Sequence, residues 1–205
     1  MMPSIPSVIE WGVRDRPIAG ELDSGDLHLV APFAGGALVG VVDGLGHGPE
    51  AAIAARAAVA VLSRDPKQPV RTLVENCHRA LRGTRGVVLS LASIDVTRDE
   101  MTWIGVGNVE AVLWRVAVGE KPVRDRIVPR SGVVGYQLPS LRMATLPIVA
   151  ADVLVFASDG LRSEFANESP FGVTVESHAA HLLKSYGNSN DDALVLVVRY
   201  TGAAP

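Results

Sequence analysis

Four aspartates of this chain stand at the ends of apolar segments, where a carboxylate needs a partner for its charge. They are Asp26, Asp43, Asp159 and Asp191. The segment 37–42, Ala-Leu-Val-Gly-Val-Val, reads as a buried strand that ends at Asp43, and a glycine-rich turn follows it. A charged group at the end of a buried strand costs free energy unless something compensates it. The four positions therefore predict a site that binds a cation.

The strand directions needed to bring these aspartates together are antiparallel. Asp43 and Asp159 follow their apolar segments, whereas Asp26 and Asp191 precede theirs. In a parallel sheet these positions would fall on opposite edges. In an antiparallel sheet the end of one strand and the start of its neighbour share one rim. The sequence therefore predicts that the four carboxylates gather at one rim of antiparallel sheets.

The gathered carboxylates predict divalent metal as their counter-charge, because four of them repel one another strongly. No Lys or Arg is adjacent in sequence to any of the four. Ligation by oxygen alone, without His or Cys, favours Mg²⁺ or Mn²⁺ over zinc. Four negative charges match two such ions, and two ions about 3.5–4 Å apart activate a water molecule for in-line attack on phosphorus. Each aspartate taken alone is more typical of a turn or a cap, and only the joint pattern favours metal.

The composition is that of an ordinary globular protein without a general affinity for polyanions. The chain has 205 residues, 48% hydrophobic and 20% charged, which suits a single domain, 1–205, with a core of about 8–200. Its net charge of −3 gives no general attraction to nucleic acid or to an anionic membrane. The single cysteine, Cys77, cannot form an internal disulfide, which favours the reducing cytoplasm. The apolar stretch 51–62 is too short to span a bilayer and contains Arg56, so no membrane segment is expected.

Strand-like segments outnumber helical ones along the chain. Strands are predicted over 7–13, 27–33, 36–43, 87–97, 101–107, 110–117, 142–148, 152–158 and 193–200. Helices are predicted from Pro49 to Ser63, from Pro69 to Arg82 and from Val173 to Tyr186. Because most strands follow one another without a helix between them, the order favours antiparallel sheets with helices packed outside. The segment Lys121–Arg130 is predicted as a basic loop or hairpin, and Thr201–Pro205 as a frayed end.

Five short motifs, taken in order, resemble a known family. They are Ser24-Gly25-Asp26, Val42-Asp43-Gly44-Leu45-Gly46-His47-Gly48, Gly105-Val106-Gly107-Asn108, Ala157-Ser158-Asp159-Gly160-Leu161 and Asn190-Asp191-Asp192. Over about residues 8–200, their order and spacing resemble the type 2C metal-dependent protein phosphatases, in their bacterial SpoIIE-like branch. The resemblance implies an α+β fold, a four-layer αββα sandwich in which two antiparallel sheets are flanked by helices.

The resemblance also implies roles for individual residues. Asp43 would bridge two divalent cations, Mn²⁺ or Mg²⁺, and the Gly44 carbonyl would contact the first of them. The second would be held by Asp26, Asp159 and Asp191. Asp43 and Asp159 would act in catalysis through the water molecule that the cations activate. Asp192 follows the expected ligand and is not expected to bind metal directly.

The activity implied by the resemblance is hydrolysis of phosphoserine or phosphothreonine by a metal-dependent protein phosphatase. Its implied substrates are phosphorylated STAS-domain regulatory proteins, either stressosome scaffold components (RsbR/RsbS-like) or anti-sigma-factor antagonists. The enzyme is expected to be a cytoplasmic monomer.

The motif set differs from that of many relatives at one position. Leu45 stands where they carry a histidine suited to protonating the leaving oxygen, and His47 follows two residues later. The proton donor is therefore unassigned. Arg14, Arg16 and His47 are the candidates for contacting the substrate phosphate, although the position of His47 before a helix also favours a local structural role. The pair Gly107-Asn108 reads as a tight turn and is assigned no chemistry.

Other classes of function are weighed against the phosphatase hypothesis. Gly44, Gly46 and Gly48 follow a strand, but Pro49 stands where a dinucleotide-binding loop needs Gly or Ala, and the Gly-Lys-Ser/Thr of a phosphate-binding loop is missing. A haloacid-dehalogenase-type phosphatase needs an aspartate where Leu45 stands. A non-catalytic partner-binding module with a phosphatase fold stays open as the alternative. Such a module is expected to lose metal ligands, and all four aspartates are present.

Overall fold

The computed structural model describes residues 8–116 and 123–202, which form ten strands and three α-helices. The strands are β1 (Ile9–Arg16), β2 (Asp26–Phe33), β3 (Gly36–Gly44), β4 (Val87–Asp95), β5 (Glu100–Val106), β6 (Glu110–Arg115), β7 (Val123–Ile127), β8 (Met143–Pro147), β9 (Val153–Ala157) and β10 (Ala193–Tyr200). The helices are α1 (Pro49–Leu62), α2 (Val70–Ala80) and α3 (Val175–Tyr186), and a 3-10 helix covers Ser163–Asn167. None of the helices in the described ranges is long and apolar enough to cross a lipid bilayer.

The strands form two five-stranded sheets in which every pair of named strands is antiparallel. One sheet has the order β1-β10-β9-β6-β7 and the other the order β2-β3-β4-β5-β8. Most connections within a sheet join neighbours along the chain, such as β2 to β3, β3 to β4 and β4 to β5. This is the arrangement expected from strands that follow one another with few helices between them.

The two sheets stack face to face, with helices on both outer faces. Side chains alternate along each strand, so successive residues belong to different layers. In β3, Val39 and Val41 pack into the core between the sheets, whereas Leu38 and Val42 pack against α1 and α2. The outer face of the other sheet is covered by α3 and the 3-10 helix. The predicted four-layer αββα sandwich is confirmed.

Three segments can be compared with the elements predicted from the sequence. The segment predicted as a basic loop or hairpin, Lys121–Arg130, contains β7, which pairs with β6, and its residues 121 and 122 lie outside the described residues. The 3-10 helix Ser163–Asn167 was not anticipated. The predicted frayed end begins too early, because the Thr201 backbone N–H donates to the Val8 carbonyl at 3.0 Å. Residues 203–205 of that segment lie outside the described residues.

Candidate metal centre and catalytic cleft

The two sheets bring the four predicted aspartates to one rim of the sandwich. Asp26 is the first residue of β2 and lies opposite Asp43 in the register between β2 and β3. In the other sheet, β9 and β10 are antiparallel neighbours. Asp159, just after the end of β9, and Asp191, just before the start of β10, therefore leave the sheet at the same edge.

Three of these aspartates line an open cleft of about 540 Å³: Asp43, Asp159 and Asp191. Asp26 is not among the lining residues and is buried, with 3% of its surface exposed. Several separate loops complete the walls, and they contribute Leu45, His47, Asn108 and Ser131. The cleft therefore combines carboxylates with a mixed polar and apolar wall that is open to solvent.

The carboxyl group of Asp26 is held in an environment that disfavours its charge. Its pKa is raised to about 7, chiefly by burial and also by the nearby carboxylates of Asp192, Asp159 and Asp191, whereas a hydrogen bond with the Ser158 side chain opposes the shift. One of its oxygens, Oδ2, is buried without a hydrogen-bond partner among the described residues. A buried oxygen of this kind is an open position for a cation.

The carboxyl groups of Asp43 and Asp159 show the same mutual repulsion. Burial raises the pKa of Asp43 well above its usual range, and the neighbouring carboxylates, Asp26 first among them, add to the shift. Burial also raises the pKa of Asp159, and the charge of Asp191 adds to the rise. Each of these shifts has the sign that a bound cation would reverse, because a positive charge favours the ionised carboxylate.

The residues at this rim fit hard divalent cations. The donor set is all oxygen, the carboxylates repel one another, and one buried oxygen has no partner. In residues 8–116 and 123–202, no three His, Cys, Asp or Glu side chains are already grouped around a single point that could hold an ion. Mg²⁺ commonly binds to proteins through one or two carboxylates and keeps several water ligands. The rim is therefore better suited to ions that keep some of their water ligands than to ions that need a closed cage of protein ligands.

Gly44 is required at the turn by the packing of α1. Its backbone N–H donates to the Gly25 carbonyl at 3.0 Å, which ties the end of β3 to the start of β2. A Cβ at this position would lie 2.7 Å from the carbonyl carbon of Ala51 and closer still to its oxygen. Only glycine therefore lets the first turn of α1 pack against the strand end that carries Asp43.

Both the sequence and the fold of the chain match known proteins. The profile of the stage II sporulation protein E (SpoIIE) family matches residues 34–201. The chain belongs to the SpoIIE family. It is also similar to the phosphoserine phosphatase RsbX of Bacillus subtilis (strain 168), with 25% identity over 161 residues, which is 77% of each chain.

Solved structures share the fold of this SpoIIE-family protein. A chain from work on the bacterial stressosome, a modular system adapted to control secondary messenger signalling, matches with a TM-score of 0.84 and 30% identity and covers 94% of this chain and 100% of that chain. RsbX in complex with magnesium matches with a TM-score of 0.83 and 22% identity, over 94% and 96% of the two chains. Family, relative and fold together confirm the prediction of a protein serine/threonine phosphatase.

Asp192 has a structural role in this SpoIIE-family protein. Its Oδ1 accepts a hydrogen bond from the Ile18 backbone N–H at 2.8 Å, and its Oδ2 accepts one from the Gly25 backbone N–H at 2.7 Å. Both oxygens are therefore engaged with the loop that leads into β2. Asp191 Oδ1 accepts a hydrogen bond from the Asp192 backbone N–H at 2.9 Å, and binding of a cation by Asp191 rather than Asp192 stays a prediction.

Asn108 is a residue of the site that sequence reasoning missed. Its side-chain Nδ2 donates to Oδ2 of Asp159 at 2.6 Å, and this hydrogen bond favours the ionised carboxylate. Asn108 lies in the turn after β5, at the same rim as the aspartates. The available signal was a polar residue in a glycine turn between two strands, and the turn leads into β6, which pairs with β9, the strand that precedes Asp159.

The three phosphate-binding candidates lie at different distances from the chemistry. Arg14 is exposed on β1 and donates to the adjacent Val13 carbonyl, and Arg16 donates to the Asn188 carbonyl at 2.5 Å. Neither arginine lines the cleft, although Asn188 belongs to the loop that carries Asp191. His47 does line the cleft, and its Nδ1 lies 3.5 Å from a carboxylate oxygen of Glu21. Contact of these three residues with phosphate stays a prediction.

Proposed function

We propose that this SpoIIE-family phosphatase hydrolyses phosphoserine or phosphothreonine on STAS-domain regulatory proteins with the help of two divalent cations, Mn²⁺ or Mg²⁺. The observation that carries the proposal is the convergence of Asp26, Asp43, Asp159 and Asp191 on one rim beside an open cleft, with mutual repulsion and a buried, unpartnered oxygen on Asp26. The substrate class is supported by the similarity to RsbX and to a chain from the stressosome.

The proposed metal ligands belong to both sheets. Asp43 and the Gly44 carbonyl come from the end of β3, and Asp26 comes from the start of β2. Asp159 and Asp191 come from the facing edge of the other sheet. Bound between them, the cations would supply an activated water molecule and would neutralise charge on the phosphate. The rim would then hold the phosphorus atom and the attacking oxygen in line across the cleft.

The side chains of the cleft position these ligands and admit the phosphorylated residue. Asn108 donates a hydrogen bond to Oδ2 of Asp159 and thereby orients a carboxylate that lines the cleft. Leu45 is apolar and has no proton to give to the leaving hydroxyl. Among the described residues that line the cleft, His47 is the one histidine, and its pairing with Glu21 places it on the lip. We assign His47 to contact with the phosphate or its leaving group.

The proposed function is tested by hydrolysis of an aryl phosphate and of a phosphorylated STAS-domain protein by the full chain. Activity is expected with Mn²⁺ or Mg²⁺ and is expected to disappear with EDTA and in Asp43→Ala. The control variant Asp65→Ala removes an exposed carboxylate between α1 and α2 and is expected to keep full activity. Activity that survives both EDTA and Asp43→Ala would overturn the metal mechanism. Binding of the phosphoprotein without turnover would instead identify a non-catalytic partner-binding module.

A further inference from the structure

A second concave surface lies beside the catalytic cleft, and we call it the arginine groove. It has a volume of about 630 Å³ and runs between the segments 128–131 and 139–144. Its walls include Val128, Arg130, Ser131, Ser140, Arg142 and Met143, and no carboxylate is among the described residues that line it. The groove is therefore positively charged, in a protein whose net charge is −3.

The arginine groove adjoins the catalytic cleft. Ser131 lines both of them. A polypeptide with its phosphorylated residue at the aspartate rim would therefore pass Ser131 and enter the groove with the residues next to the phosphorylated one. This continuity makes the groove part of the surface that a protein substrate covers.

The backbone of the arginine groove is held in place before any ligand binds. The Arg130 N–H donates to the Gly105 carbonyl at 3.1 Å, and the Arg130 carbonyl accepts from the Gly107 N–H at 2.8 Å. On the opposite wall, Met143 is paired with β5, and the Leu141 carbonyl accepts a hydrogen bond from Arg71 of α2 at 3.0 Å. A preformed surface loses little conformational freedom on binding, which favours affinity.

The two arginines of the groove, Arg130 and Arg142, have no ion-pair partner among residues 8–116 and 123–202, whereas Arg115 and Arg126 pair with nearby carboxylates. Two apolar side chains in the groove are also open to solvent, since Val128 is 86% exposed and Met143 is 41% exposed. Guanidinium groups bind carboxylates in a two-pronged geometry, and adjacent apolar surface stabilises the aliphatic part of the ligand.

We propose that the arginine groove binds an acidic segment that flanks the phosphorylated residue of the protein substrate. The proposal rests on the proposed function, because it places the flank of a phosphoprotein next to the catalytic cleft. Carboxylate side chains of the partner would pair with Arg130 and Arg142, and an aliphatic side chain would contact Val128 and Met143. The groove then selects phosphoproteins by the charge of their flanking sequence, which the aspartate rim cannot do.

The test compares phosphoserine peptides that differ only in their flanks, one with Asp and Glu and the other with Asn and Gln. Each flank is placed before the phosphoserine in one peptide and after it in another. KM and kcat are then measured for each peptide with the full chain and Mn²⁺. When the acidic flank lies on the side of the phosphoserine that reaches the groove, the KM is expected to be about five- to tenfold lower than for the neutral peptide. The difference is expected to disappear in 0.5 M salt, where the Debye length falls to about 4 Å.

The variants R130Q and R142Q, combined, are expected to remove the preference while leaving turnover of an aryl phosphate unchanged. The matched control R64Q removes one positive charge at the far end of α1 and is expected to keep the preference. Equal KM values for the two peptides in the wild-type protein would overturn the proposal. So would a loss of aryl phosphate turnover in the combined variant, since the arginines would then serve the cleft itself.

Direct binding separates failure of the groove from failure of the proposed function. Fluorescence anisotropy of an unphosphorylated acidic peptide is measured with the wild-type protein and the combined variant. Binding that requires Arg130 and Arg142 supports the groove even if no phosphopeptide is hydrolysed, in which case the proposed function fails alone. Absence of this binding together with normal hydrolysis of both peptides overturns the groove and leaves the proposed function standing.

Discussion

Asn108 and Asp159 show how one hydrogen bond can orient a proposed metal ligand. Burial and the charge of Asp191 raise the pKa of Asp159, whereas the bond from Asn108 favours its charged form. The bond is 2.6 Å long and joins residues 51 positions apart in sequence. Loss of a partner that orients a metal ligand commonly lowers metal affinity or activity by about 10- to 100-fold. Asn108 is therefore a positioning residue for the proposed metal centre.

We expect Asn108→Ala to weaken Mn²⁺ binding about tenfold and to lower kcat, because the Asp159 carboxylate loses its orientation and its charge stabilisation. Isothermal titration with Mn²⁺ measures the first effect independently of activity. The control variant Asn76→Ala removes an amide from α2, away from the cleft, and is expected to change neither quantity. Unchanged Mn²⁺ affinity in Asn108→Ala would contradict this role.

The contact between β3 and α1 shows how an element boundary holds the site together. Gly44 ends β3, α1 begins at Pro49, and the chain turns so tightly between them that Ala51 packs against Gly44. The turn carries Asp43 on one side and His47 on the other, and both line the cleft. The close approach of helix and strand therefore determines where these two side chains lie.

We expect Gly44→Ala to lower the free energy of unfolding by about 1–3 kcal/mol, because the new methyl group collides with the backbone of α1 and cannot be relieved by a side-chain rotation. Urea unfolding measures the change. The comparison variant Ile53→Ala trims an exposed side chain of the same helix and is expected to cost less than about 1 kcal/mol. A stability of Gly44→Ala equal to that of the wild-type protein would show that the helix can shift.

Carboxylates from the two sheets repel one another where the sheets meet at the rim. Asp26 belongs to one sheet, and the carboxylates that raise its pKa, Asp159, Asp191 and Asp192, adjoin the strands of the other. The pKa of Asp26 rises from 3.8 to about 7 in the folded chain. The folded state therefore binds a proton more tightly than the unfolded state between about pH 4 and pH 7, and stability falls as pH rises through this range.

We expect the free energy of unfolding in EDTA to decrease by a few kcal/mol between about pH 4 and pH 7, and Mn²⁺ to remove most of that decrease by neutralising the rim. Asp26→Asn is expected to flatten the profile in EDTA and to weaken stabilisation by Mn²⁺, whereas Asp65→Asn is expected to change neither. Urea unfolding across this pH range measures both effects. A free energy of unfolding in EDTA that does not change with pH would show that the charged form of Asp26 is not destabilised by its surroundings.

The antiparallel strand directions could be predicted because their determinants are local, whereas the four-layer sandwich was expected from the family resemblance. The apolar run of β3 is unbroken in the sequence, and only the packing of the sheets assigns Val39 and Val41 to one layer and Leu38 and Val42 to another. The positions of Asp26 and Asp43 at a strand start and a strand end require a shared rim once the strands are antiparallel. Family motifs then connected that rim with phosphatase chemistry.

The sequence by itself determined the antiparallel strand directions and the rim at which the aspartates meet, because strand ends are properties of short segments. Only the tertiary structure decided which polar groups meet across that rim. Asn108 reaches Asp159 from 51 residues away, and Asp192 binds Gly25 from 167 residues away. The arginine groove likewise joins segments that become neighbours only when β8 pairs with β5. Such contacts depend on the packing of distant elements, which no local pattern encodes.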